Sequence, residues 1–193
     1  MNYTIFNDEL NLIKNERLKE SCIELLKILP EYFYNVEASS SGKYHPAFAL
    51  GEGGLVRHTK VAVKIADEII KTESVGNVFT QDEKDMILIS LMLHDGLKKG
   101  IVEEKYTRFD HPILMADYLM DCEESLGLEV EEIEFLGDVI KTHMGVWTTD
   151  YNGNEILEKP KTKYQNFVHM CDYLASRKCI LVPFDEENKI SVE

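Results

Sequence analysis

Apolar residues recur along this chain every three to four positions and almost nowhere in strict alternation, which predicts helices and no sheet. The first stripe spans residues 8–29, through Leu10, Ile13, Leu18, Cys22, Leu25, Leu26 and Leu29, and Pro30 stops it. Tyr32, Phe33 and Tyr34 follow as a packing cluster, and residues 38–54, rich in Ser and Gly, read as a long loop. A second helix is predicted over 55–71, with Val61, Ala62, Ile65, Ala66, Ile69 and Ile70 on its inner face. Thr80 and Glu83 form a capping box ahead of the apolar run 86–93, and residues 96–109 are a connection with little periodicity. Asp110-His111-Pro112 opens a further helix, because proline is favoured where a helix has no partner for its amide. Two more stripes cover 130–143 and 161–178; Asn152-Gly153 between them marks a tight turn. Residues 180–184 read as a short extended segment and the acidic tail beyond as loose. The expected fold is an all-α bundle of six to seven helices, with residues 1–193 forming one domain.

The same stripes gather an unusual set of polar side chains. His58 lies three residues before Val61 and seven before Ile65, on the buried face. His94 and Asp95 end the apolar run, His111 opens the next helix, and His143 extends the stripe of Val139 and Ile140. Asp172 lies four residues after Val168 and three before Ala175, where a carboxylate is costly unless paired or metal-bound. Six such groups in one core are hard to explain as independent satisfied residues, and a shared metal centre explains them together. Imidazole and carboxylate suit many divalent ions, so ligand type does not choose the metal.

Composition narrows the partners. The 193 residues carry 21 basic and 35 acidic side chains, a net charge of −14, with the acidity concentrated in 121–134 and in the tail. That surface disfavours a nucleic-acid backbone and leaves a small anionic substrate open, since bound cations invert the field locally. No apolar run is long enough to span a membrane and no secretory signal opens the chain, so a cytoplasmic location is expected. Cys22, Cys122, Cys171 and Cys179 form no CxxC pair and read as thiols of a reducing compartment.

In order, the candidate ligands read H…HD…H…H…D, and over about residues 40–180 the chain resembles the HD-domain superfamily of metal-dependent phosphohydrolases. Local contexts that carry the resemblance are Gly53-Gly54-Leu55-Val56-Arg57-His58, His94-Asp95-Gly96-Leu97-Lys98, His111-Pro112, Thr142-His143-Met144-Gly145 and Val168-His169-Met170-Cys171-Asp172. It implies that His58, His94, Asp95 and Asp172 bind a first divalent ion and that His111 and His143 bind a second, with Asp95 bridging; iron and manganese are the expected metals. It further implies hydrolysis of a small phosphoester, most readily a nucleotide, by a metal-bound hydroxide, with Asp95 and Lys98 catalytic and Lys98 also on the substrate phosphate. Arg57, His45 and Lys43 are candidates for further phosphate contacts, whereas Lys99 is expected in solvent and His169 in a structural role. Competing expectations are a diiron oxygenase on nearly the same ligands, a phosphodiesterase or nuclease acting on nucleic acid, and a non-enzymatic module with a structural metal.

Overall fold

The computed structural model describes residues 2–39, 42, 45–122 and 127–191. Among them are eight α-helices and no strand: α1 (Asn7–Leu10), α2 (Glu16–Ile28), α3 (Gly54–Ile70), α4 (Glu73–Gly76), α5 (Gln81–Leu93), α6 (His111–Asp121), α7 (Val130–Ile140) and α8 (Lys163–Ala175). The bundle is built around α5, whose residues from Asp85 to Leu93 are all buried, as expected for a helix apolar on every side. It contacts α2, α3, α7 and α8, while α6 packs on α7. The expected capping box is present, with Thr80 accepting from the Glu83 amide. None of the described helices is long and apolar enough to cross a membrane.

Two expectations change. The stripe over 8–29 is not one helix, because residues 11–15 leave the helical path between α1 and α2. Asp85 causes the break: its Oδ2 accepts the amides of Lys14 (3.0 Å) and Asn15 (2.8 Å), and Asn15 then caps α2 through its own side chain. Ile13 still reaches the core from the break, so the apolar spacing continues across a gap in the helix. Nor is the tail loose through residue 191. Asp185 Oδ1 accepts the amides of Glu187 and Lys189 in a tight turn, Phe184 lies against Phe48, and Asn188 Oδ1 accepts from Arg57 at 2.5 Å.

Candidate metal centre

The bundle brings all six candidate ligands to one place. His58 comes from α3, His94 and Asp95 from the end of α5, His111 from the first residue of α6, His143 from the turn after α7, and Asp172 from α8. The four histidines and Asp95 are at most 2% exposed, and the Asp172 side chain is 17% exposed, making it the outermost member. Asp95 sits in the middle. Its Oδ2 faces His94 Nε2 (3.5 Å) and His58 Nε2 (3.9 Å), and its Oδ1 faces His111 Nε2 (3.0 Å) and His143 Nε2 (3.7 Å). Asp172 Oδ1 closes the first side, 2.9 Å from His58 Nε2 and 3.5 Å from His94 Nε2.

Local backbone fixes which nitrogen of each ring points inwards. The Nδ1 atoms of His94, His111 and His143 bond to the carbonyls of Leu91 (2.7 Å), Arg108 (2.7 Å) and Ile140 (2.9 Å), each three residues earlier. A carbonyl only accepts, so the proton of each neutral ring is on Nδ1 and the lone pair is on Nε2, aimed at the cluster. Acceptors therefore face acceptors: the Nε2 atoms of His111 and His143 are 3.2 Å apart, and the buried His94 Nε2 and Asp95 Oδ1 have no hydrogen-bond partner. Buried polar atoms without partners are costly, and a cation is the species that satisfies several at once. Ligands about 2.1 Å from one ion lie roughly 3–3.5 Å apart, the spacing seen here. Three overlapping groups bring their ligand atoms within 4.8 Å of one another: His58, His94 and Asp95; His94, His143 and Asp172; and Asp95, His111 and His143. The buried His/Asp cluster thus fits metal ions.

Electrostatics agree. Two carboxylates meet one lysine, Lys98, whose Nζ is 2.5 Å from Asp95 Oδ2. Burial opposes ionisation of both carboxyls, yet Lys98 and His94 hold Asp95 well below its usual range, and His58 and His94 do the same for Asp172. Burial likewise opposes charging of His94, but Asp95 and Asp172 outweigh it and push its pKa up to about 10, so with no cation between them this ring takes a second proton on Nε2, in the place a metal ion would occupy. The interior calls for positive charge, which a divalent ion supplies.

The shell around these ligands is held tightly. Gly96 is required for space rather than for backbone freedom, since a Cβ there would meet Leu29 Cδ2 at 2.7 Å and Met115 Sδ at 3.1 Å. Tyr32 Oη donates to the Gly100 carbonyl (2.6 Å) and accepts from the Lys99 amide (3.1 Å), anchoring the turn after Asp95. His169 stands outside the cluster and supports His143: its Nδ1 bonds the His143 carbonyl at 2.7 Å, and its ring fills the space beside Gly145.

The remaining candidates divide. Lys98 reaches the cluster, and the His45 ring lies against His58 at 5.2 Å with its buried Nδ1 unpartnered. Burial, with the neighbouring His58 and Lys98, pushes the His45 pKa down to about 3. Arg57 is engaged elsewhere. Its guanidinium donates to the carbonyls of Phe48, Leu50 and Glu52 and to Asn188, clamping the preceding loop to the tail. Lys43 lies outside the described residues. Lys99 is not in open solvent; its side chain is 18% exposed and pairs with Glu103 at 2.7 Å. The polar core residues Asp85, Glu9 and Lys60 were not singled out by the sequence; only Asp85, four residues before Ile89 and directly ahead of the apolar run, carried a readable sign. Comparison of the chain with known protein families, with curated proteins and with solved structures yields no match.

Proposed function

We propose that the cluster is a dinuclear divalent-metal centre of HD type and that the protein is a metal-dependent phosphohydrolase of small phosphoesters, nucleotides foremost. The observation that carries this reading is the division of Asp95: each carboxylate oxygen faces a different pair of imidazole Nε2 atoms. His58, His94, Asp172 and Asp95 Oδ2 would hold one ion, and His111, His143 and Asp95 Oδ1 the other. Ions held there, iron or manganese as the HD resemblance implies, would supply an acidified water and offset charge growing on a phosphoryl group. The chain supplies the rest. The three Nδ1–H bonds to carbonyls keep the ligand rings oriented, and the apolar surround from α5 excludes bulk water, which strengthens every charge interaction inside. Lys98 places an ammonium beside the shared carboxylate, where it can bind a phosphate oxygen.

The test is turnover of a panel of phosphoesters by the protein loaded with Mn²⁺, or with Fe²⁺ under anaerobic conditions, with Asp95→Asn as control. Phosphate release that depends on metal and vanishes in the variant supports the reading. Metal bound at the cluster with no phosphoester cleaved overturns it, and oxygen uptake by the Fe²⁺ form would then point to an oxygenase.

A further inference from the structure

Beside the cluster lies a depression of about 140 Å³, bordered by Glu37, Lys98, Lys99, Lys105 and Tyr106. It differs from the rest of the surface in charge. The chain as a whole has a net charge of −14, yet three lysines meet at this one hollow. They belong to a loop closed at its base by the Arg108 amide bonding to the Lys98 carbonyl (2.9 Å). Both roots of the loop are ligand-bearing: Lys98 touches Asp95, and the Arg108 carbonyl holds His111 Nδ1. The loop's own acids are already engaged, Glu103 with Lys99 and Glu104 with Arg108. Lys105 lies over the Tyr106 ring at 5.1 Å and has no carboxylate partner among the described residues. The hollow is large enough for a phosphate group.

We infer that this hollow binds a second phosphate of the substrate, so that the preferred substrates are phosphoanhydrides such as nucleoside diphosphates rather than monophosphates. The inference rests on the phosphohydrolase reading. Lys98 links the two places, touching the shared carboxylate and bordering the hollow. One phosphoryl group then lies at the cluster and the next against Lys105 and against Lys99, which would exchange its partner Glu103 for the phosphate. Hydrolysis consumes one water, whose oxygen bonds to phosphorus at the cluster. The bridging P–O bond breaks, and its oxygen leaves with the electron pair and takes up a proton from that water. Glu37, exposed at the rim, opposes the anion and limits its affinity.

The experiment measures AMP and ADP as inhibitors of p-nitrophenyl phosphate turnover by the whole Mn²⁺-loaded chain at fixed free Mn²⁺. ADP is expected to inhibit about tenfold more tightly than AMP. Lys105→Gln should shrink that ratio by about three- to tenfold, and Glu37→Gln should enlarge it. Equal inhibition by the two nucleotides, or a ratio that Lys105→Gln does not move, overturns the second-phosphate subsite while leaving the hydrolase in place. If no phosphoester is turned over, the hydrolase reading fails by itself. The ADP-to-AMP ratio is then read from calorimetric binding to the Mn²⁺-loaded protein, where a ratio near one overturns the subsite too.

Discussion

The two ends of α5 each bury an aspartate, and their surroundings are opposite. Near its start, Asp85 has a donor for each oxygen: two amides on Oδ2 and Gln81 Nε2 on Oδ1 (2.8 Å). Just past its end, Asp95 faces imidazole lone pairs, and its Oδ1 has no hydrogen bond. Both side chains are equally hidden from water, so burial alone does not tell a structural carboxylate from a ligand. Satisfaction does. The filled site at Asp85 needs nothing more and spends its bonds on joining α1 to α2. The site at Asp95 sets one ammonium, Lys98, against two carboxylates and leaves Oδ1 without a donor, a deficit that metal ions could meet.

The same change made at both ends tests this contrast. Asp95→Asn should lower phosphoester turnover by a factor on the order of 10³–10⁴, which a steady-state assay at saturating Mn²⁺ reads directly. In Asp85→Asn the amide NH₂ would face a donor, and stability should fall by about 2–3 kcal/mol, a drop of roughly 5–10 °C in Tm, while turnover per folded molecule stays at the parent value. Metal removal separates the two further. At a free concentration a hundred times Kd, a bound ion adds about 2.7 kcal/mol to stability. A chelator should therefore lower the Tm of the parent protein and of Asp85→Asn by similar amounts and leave that of Asp95→Asn almost unmoved. A smaller effect is expected from Gly145→Ala. Its φ of +66° disfavours any side chain, and the new Cβ would stand 2.0 Å from His169 Cε1, the ring that supports His143. A loss of about 2 kcal/mol in thermal unfolding, with weaker metal binding by calorimetry, would show that the outer support matters to the ligand.

The cluster was legible in the sequence because its residues sit on apolar stripes or where those stripes end. His143 illustrates how far this reaches: α7 stops at Ile140, yet the turn that follows keeps the histidine on the face that the spacing predicts. What stayed hidden depends on contacts distant in sequence. The break over 11–15 is imposed by Asp85, some seventy residues away, and the apolar spacing runs through it unchanged. The clamp made by Arg57 was hidden because its side-chain partner Asn188 lies 131 positions further on, in a tail whose composition suggested only solvent. Glu9 and Lys60 form a buried pair at 2.6 Å, but their charges alone carry no mark of burial.

The carbonyl locks on His94, His111 and His143 have a consequence in time rather than in energy. A ring held by the backbone of its own helix end does not swing out on its own; turning it away means first loosening the last or first turn of α5, α6 or the segment after α7. Entry and escape of an ion held there would be gated by fraying of those ends, so metal exchange should be slow and should quicken wherever the turns are weakened, even with every ligand in place.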